Sequence, residues 1–101
     1  MKARIKIAVA RTPDGGEMAL YQHDRDFFIT INGRDLMHSR QYESELELAR
    51  LGCRHLADCK APSILIGGLG MGYTLRQALD MLGPHARVVV GELVGAVVEW
   101  N

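Results

Sequence analysis

The order of apolar and polar positions predicts a first part built of strands. The predicted strands cover residues 3–11, 17–23, 27–31 and 34–37. In the first of them Ile5, Ile7 and Val9 alternate with polar or small residues, which is the pattern of a half-buried strand. Asn32-Gly33 stands between the last two strands and is the strongest short signal for a β-hairpin. Residues 1–38 are therefore predicted to form a small antiparallel β meander.

After residue 38 the apolar spacing changes to that of a helix. Between residues 41 and 57, apolar side chains recur at three- and four-residue intervals, as on one face of an α-helix. This stripe consists of Leu46, Ala49, Cys53 and Leu56, and is widened by Leu48 and Leu51. Ser44 precedes Glu47 by three residues, which is the spacing of a capping box. A helix over about residues 41–57 is expected.

A run of apolar residues followed by closely spaced glycines comes next. Residues 63–66 are apolar apart from Ser63 and carry no charge, which is typical of a strand buried on both faces. A second strand of this kind is predicted over residues 86–92, ending in Glu92. Between the two strands, one face of a helix is indicated by Leu75, Ala78, Leu79 and Leu82. This order predicts a right-handed βαβ unit with parallel strands.

The predicted fold class is α/β: a small amino-terminal antiparallel β meander, then a helix and an incomplete Rossmann-like βαβ unit. The division falls between residues 1–38 and 39–101. A further helix begins near Val94. A parallel sheet of two strands leaves both edges unpaired. We therefore expect either a truncated piece of a larger α/β protein or a homo-oligomer, formed by association or by domain swapping.

Composition and charge exclude several classes of partner. Lys and Arg together number 12, as do Asp and Glu, so no basic field indicates nucleic acid or an anionic membrane. No apolar run is long enough to span a membrane and no signal peptide is recognisable, so a cytoplasmic protein is expected. Cys53 and Cys59 lack a second pair, and the histidines are scattered singly, so no metal site is predicted.

The glycine loop between the predicted strand and helix indicates a ligand. A phosphate-binding P-loop needs Lys followed by Ser or Thr after its last glycine, whereas Gly72 is followed by Tyr73-Thr74. A dinucleotide-binding loop needs glycine or alanine at Tyr73, which weakens that interpretation. The spacing Gly68-x-Gly70-x-Gly72, with Glu92 ending the next strand, resembles motif I of class I S-adenosylmethionine-dependent methyltransferases. A tight turn without a ligand is the remaining alternative.

The order of parts resembles the amino-terminal half of spermidine synthase-like proteins. The most specific segments are residues 36–40 and 67–76, Leu-Met-His-Ser-Arg and Gly-Gly-Leu-Gly-Met-Gly-Tyr-Thr-Leu-Arg. The resemblance implies an adenosine-bearing cosubstrate, S-adenosylmethionine or its decarboxylated form, with Glu92 bound to the ribose. The cosubstrate-binding residues implied are Gly68, Gly70, Met71, Gly72 and Glu92.

Four positions depart from the aminopropyltransferases of that family. Met71 stands where they have an aspartate inside the glycine motif, and Leu36 where they have a glutamine. Glu45-Leu46 replaces a Tyr-His pair. In that family the catalytic aspartate follows the fourth strand of the Rossmann-like sheet, which would place it beyond Asn101. The catalytic residues are therefore unknown, and whether this chain is an enzyme by itself is left open.

Our first hypothesis is thus the nucleoside-cosubstrate-binding amino-terminal part of a spermidine synthase-like, S-adenosylmethionine-dependent transferase of the methyltransferase type. The alternatives are a polyamine aminopropyltransferase that uses decarboxylated S-adenosylmethionine, and a non-catalytic assembly fragment. The expected partner is a small-molecule substrate, with no nucleic acid and no membrane.

Overall fold

The computed structural model describes residues 3–101 and has the predicted fold class, an antiparallel meander followed by a helix and a parallel βαβ unit. The meander has the strand order β1-β2-β3-β4, and a separate parallel pair is formed by β5 and β6. The strands are β1 (Ile5–Arg11), β2 (Glu17–His23), β3 (Asp26–Ile31), β4 (Arg34–His38), β5 (Ser63–Gly67) and β6 (Arg87–Gly91). The helices are α1 (Glu43–Cys53, continued by a 3₁₀ turn over Arg54–Leu56), α2 (Tyr73–Met81) and α3 (Gly95–Trp100).

The predicted hairpin at Asn32-Gly33 is confirmed as the connection between β3 and β4. Both residues have positive φ, 49° at Asn32 and 81° at Gly33, as a tight two-residue hairpin loop requires. The Asn32 side chain also accepts a hydrogen bond from the backbone N–H of Glu17 at 2.9 Å. This bond ties the hairpin to the start of β2.

β1 contains a β-bulge. The prediction that Ile5, Ile7 and Val9 form one buried side of this strand is therefore wrong. Ile5 pairs with Gln22 and Val9 pairs with Ala19, with a register shift between Lys6 and Ala8. Since one extra residue reverses the alternation of side chains, Ile5 and Val9 lie on opposite faces of the sheet. Ile5, Ile7 and Val9 are all exposed, and the core receives Ala8 and Ala10 from this strand.

One hydrophobic core joins the meander to the segment after β6. Its buried residues are Met18, Leu20 and Ile29 from the meander together with Val94 and Val97. Val97 is 3% exposed although its neighbour Val98 is 53% exposed. The predicted boundary between residues 38 and 39 therefore separates the antiparallel meander from the α/β part, but both parts contribute residues to this core.

A second core lies between the helices α1 and α2 and one face of the parallel sheet. Its buried residues are Ala49, Cys53, Ile66, Ala78 and Leu82. On the opposite face Leu65 is 74% exposed and Val89 is 43% exposed. The prediction that both strands are buried on both faces is therefore wrong, because helices cover a single face of this sheet within residues 3–101.

The start and width of α1 also differ from the prediction. The helix begins at Glu43 with Tyr42 as its N-cap residue, and no side chain caps it. Ser44 lies within the first turn and donates to the Glu45 carboxylate at 3.0 Å, so the expected capping box does not form. Leu48 and Leu51 are exposed, so the buried stripe is narrower than expected.

Val97 lies in the shared core and Val98 is exposed, so replacing each by alanine should change the free energy of unfolding by different amounts. We expect Val97→Ala to lower the free energy of unfolding by about 2 kcal/mol, because it removes buried methyl groups and leaves a cavity. Val98→Ala is the matched control, with an expected change within about 0.5 kcal/mol. Urea denaturation followed by circular dichroism measures both variants. Equal effects would contradict the assignment of Val97 to a core that joins the two parts.

Candidate functional site

The glycine loop connects the end of β5 to the start of α2, and positive φ angles shape it. Gly68, Gly70 and Gly72 have φ values of 92°, 56° and 83°. A Cβ atom added to Gly70 would lie 3.2 Å from the sulfur of Met37. Both the positive φ and the close approach of the Met37 side chain from β4 therefore favour glycine at this position. Gly72 is the N-cap residue of α2.

The carboxylate of Glu92 bridges the loops that follow the two parallel strands. Its Oε1 atom accepts a hydrogen bond from the backbone N–H of Leu69 at 2.8 Å, and its Oε2 atom accepts one from Val94 at 3.0 Å. The backbone N–H of Gly68 donates to the carbonyl oxygen of Gly91 at 2.7 Å, which extends the pairing of the two strands into the loop. The glycine loop is thus held against the end of β6.

These backbone amides change the acidity of Glu92. Partial burial acts to raise the pKa of this carboxyl group, but the backbone N–H groups of Val94, Leu69, Gly70 and Leu93 together lower the pKa below its ordinary value. A carboxylate has about four lone-pair positions. The hydrogen bonds from Leu69 and Val94 occupy two of these positions, which leaves acceptor capacity for a ligand hydroxyl. The ribose contact of Glu92 stays a prediction.

A cavity of about 350 Å³ lies beside the glycine loop. Of the predicted binding residues, Gly68, Gly70, Met71 and Glu92 line it, whereas Gly72 does not. Apolar side chains of the meander and of α1 form much of the remaining wall, namely Met18, Ile29, Leu36, Met37 and Leu48. The cavity therefore combines a glycine loop, an apolar wall and the carboxylate of Glu92.

Glu45 also lines this cavity, whereas its neighbour Leu46 does not. Both residues stand where the resemblance led us to expect a Tyr-His pair. The described lining residues include no Lys, Arg or His. The charged groups in the wall are therefore two carboxylates, those of Glu45 and Glu92.

Three contacts that the sequence did not indicate hold the start of α2. The ring of Tyr73 stacks on Tyr42 with 4.6 Å between ring centroids, and its hydroxyl donates to the carbonyl oxygen of Ser39 at 3.0 Å. Partial burial, and then the neighbouring Tyr42, Glu45 and Asp26, raise the pKa of Tyr73. Thr74 Oγ1 donates to the carbonyl oxygen of Glu45 at 3.1 Å. Such contacts depend on tertiary placement and leave no pattern in the sequence.

Asn101 fixes the loop from a third direction. Its side-chain nitrogen donates to the carbonyl oxygens of Gly70 at 2.8 Å and Val97 at 2.7 Å. Sequence reasoning had not singled out Asn101 as a functional residue. The loop is therefore held by residues from β4, from the loop after β6 and from the residue after α3.

Residues 3–101 contain neither a metal-binding cluster nor a membrane-spanning helix. No group of three or more His, Cys, Asp or Glu side chains in this range could hold a metal ion. None of the helices described is long and apolar enough to cross a membrane.

Comparison with known proteins identifies the fold. No protein-family model matches the chain, and no curated protein matches it. A spermidine synthase solved in complex with the transition state analogue AdoDATO aligns with a TM-score of 0.68 and 18% identity, covering 94% of this chain and 32% of that one. Spermidine synthase from Thermotoga maritima aligns with a TM-score of 0.63 and 17% identity, covering 93% of this chain and 33% of that one.

The chain thus spans about a third of the length of these spermidine synthases and shares the fold of that third. The resemblance noted in the sequence is confirmed at the level of the fold.

The lowered pKa of Glu92 predicts a pH-dependent contribution to stability. In the unfolded chain Glu92 binds its proton more readily than in the folded chain, so its stabilising effect is present at neutral pH. The effect is lost as the pH falls through the folded pKa, which lies below the ordinary value of 4.5. We expect Glu92→Gln to lower the free energy of unfolding by about 1 kcal/mol at pH 7, and by much less at pH 3.

Urea denaturation at pH 7, 5 and 3 measures this difference. The control is Glu99→Gln, because Glu99 is an exposed carboxylate on α3. The same loss of stability at all three pH values in Glu92→Gln would contradict the role of the charge.

Proposed function

We propose that this chain binds an adenosyl sulfonium cosubstrate, S-adenosylmethionine or its decarboxylated form, as part of a spermidine synthase-like transferase. The observation that carries the proposal is a glycine loop tied to Glu92 at the carboxyl ends of two parallel strands, beside a cavity of about 350 Å³. In open α/β sheets, ligands bind outside the carboxyl ends of the strands. The volume is at the lower end of the range for small-molecule sites.

The chemistry of the cavity wall fits such a ligand. Adenine and the carbon chain around a sulfonium are apolar in large part and would pack against Leu36, Met37 and Met71, which line the cavity. Ribose hydroxyl groups are hydrogen-bond donors, and Glu92 is the acceptor at the end of β6. Gly68 and Gly70 have no Cβ atoms, so a ligand could approach the backbone of the loop closely at these positions.

When bound, the sulfonium supplies an electrophilic carbon: a nucleophile's lone pair forms a new bond to that carbon while the pair of the carbon–sulfur bond passes to sulfur, leaving a neutral thioether. The residues of this chain would hold the nucleoside and orient the carbon–sulfur bond in line with the nucleophile. The acceptor substrate and the group that takes its proton are not assigned to residues of this chain.

Aminopropyl transfer to a polyamine is the second candidate. Its specific support is that both aligned structures are spermidine synthases. In that case the decarboxylated cosubstrate is the ligand, whereas methyl transfer uses S-adenosylmethionine itself. Competition between the two ligands for the cavity separates the two candidates.

Assembly of several copies is compatible with either activity. The exposed side chains of Leu65 and Val89 form an uncovered apolar face on the parallel sheet, and apolar faces of this kind support association. We propose a homo-oligomer on this basis. Light scattering tests it, and a monomer at all concentrations would exclude it.

Binding of the nucleoside is tested by calorimetric titration of both sulfonium ligands into the chain. We expect saturable heat with the parent protein, and binding weakened at least about tenfold in Gly70→Ala. The alanine would carry a strained positive φ, at a cost of roughly 1–2 kcal/mol, and its Cβ atom would press on Met37.

Gly83→Ala is the matched control, since a Cβ atom there meets nothing within 4 Å. Absence of binding by a folded parent protein would show that the glycine loop is a turn without a nucleoside. Equal binding by both variants would show that the ligand lies elsewhere.

A further inference from the structure

Glu45 carries a negative charge on the wall between two cavities. It lies in the first turn of α1 and lines the cavity beside the glycine loop. It also lines a second cavity of about 470 Å³, formed between the meander and the start of α1. Ser44 donates a hydrogen bond to its Oε2 atom at 3.0 Å. Its side chain is partly buried, in contrast to that of the exposed Glu43 in the same turn.

No basic side chain described in residues 3–101 forms an ion pair with Glu45. The ion pairs described are Arg4 with Asp35, Lys6 with Glu17, Arg40 with Asp26, and Arg50 with Glu47. A partly buried carboxylate without a cation is more favourable when a positively charged ligand group lies nearby.

The basic groups around the second cavity are already engaged. The guanidinium of Arg4 donates to both carboxylate oxygens of Asp35, at 2.8 and 3.1 Å, and lies 3.9 Å from the centroid of the Phe28 ring. His38 accepts the backbone N–H of Arg40 at its Nδ1 atom, at 3.0 Å. Among the described residues, no basic side chain lines the cavity beside the glycine loop, and the Arg4 guanidinium at the second cavity is already paired with Asp35.

We propose that Glu45 is a specificity-determining residue, which selects for a cationic ligand tail and against a tail that carries a carboxylate. This inference rests on the proposed function, because it assumes that the nucleoside lies against the glycine loop and Glu92. The tail of the ligand then shares the cavity with Glu45. An amine there is attracted to the Glu45 carboxylate, whereas a carboxylate is repelled and finds no basic partner.

A structural role of Glu45 predicts a different result. A carboxylate in the first turn of a helix interacts favourably with the helix dipole. If Glu45 acted only in this way, replacing it would change the stability of the fold and would change the affinity for all nucleoside ligands alike. Selectivity between ligands that differ in the charge of the tail is therefore the measurement that isolates the proposed role.

The experiment titrates three ligands into the parent chain and into Glu45→Gln. 5′-Methylthioadenosine has no charged tail, decarboxylated S-adenosylmethionine has a sulfonium and an amine, and S-adenosylmethionine adds a carboxylate. We expect the parent chain to bind the decarboxylated ligand at least about tenfold more tightly than S-adenosylmethionine. In Glu45→Gln this ratio should fall towards one, while the affinity for 5′-methylthioadenosine is unchanged.

Glu43→Gln is the matched control, because it removes an exposed carboxylate from the same helical turn. It should leave the ratio of affinities as in the parent chain. If Glu45→Gln does not fold, the parent chain supplies the test by itself. Its preference for the decarboxylated ligand should weaken as salt is added, since ions screen the charge of Glu45.

The outcomes separate the two proposals. If the folded parent chain does not bind 5′-methylthioadenosine, the nucleoside site is wrong and the role of Glu45 is overturned with it. If this ligand binds but the ratio is the same in parent and Glu45→Gln, the nucleoside site stands and the role of Glu45 is overturned. A parent chain that prefers S-adenosylmethionine, or a preference independent of salt, also overturns it.

Discussion

The carboxylate of Glu92 connects two backbone segments that would otherwise leave the parallel sheet independently. One carboxylate oxygen accepts a hydrogen bond from the backbone N–H of Leu69 in the glycine loop. The other accepts one from Val94, the residue that precedes α3. Val94 and Val97 in turn enter the core with Met18 of the meander. Through these two hydrogen bonds the carboxylate links the glycine loop to the segment that joins α3 to the meander.

The cavity beside the loop is a product of both parts of the chain. The meander supplies Met37, which lies against Gly70, and α1 supplies Glu45. Tyr73 joins the start of α2 to the end of β4 through the carbonyl oxygen of Ser39. The β meander therefore forms one wall of the candidate site. A substitution in the meander can therefore alter the shape of this cavity without touching the glycine loop.

Sequence patterns predicted those features that depend on a few neighbouring residues. Asn32-Gly33 identified the hairpin because few other residues accept positive φ at both positions. The spaced glycines identified the loop for the same reason. The alternation in β1 failed because a bulge adds one residue without any change in composition. The apolar residues of β5 and β6 indicated burial, but their pattern does not specify what covers each face.

The contacts of the site were less predictable than its backbone. Glu92 was identified from its distance to the glycines, yet its described partners are backbone N–H groups, which every residue except proline carries. Asn101 and Tyr73 act through carbonyl oxygens that carry no residue identity. Predicting such contacts requires the relative placement of the elements, and that placement comes from the shared core.

The uncovered face of the parallel sheet has a consequence for the behaviour of the protein in concentrated solution. Leu65 and Val89 are exposed on this face, and the sequence isoelectric point is about 6.9 with a formal net charge of zero at pH 7. Repulsion between molecules is weakest at zero net charge. The colloidal stability of the chain should therefore be lowest near neutral pH, and a buffer well away from pH 7 should keep it dispersed.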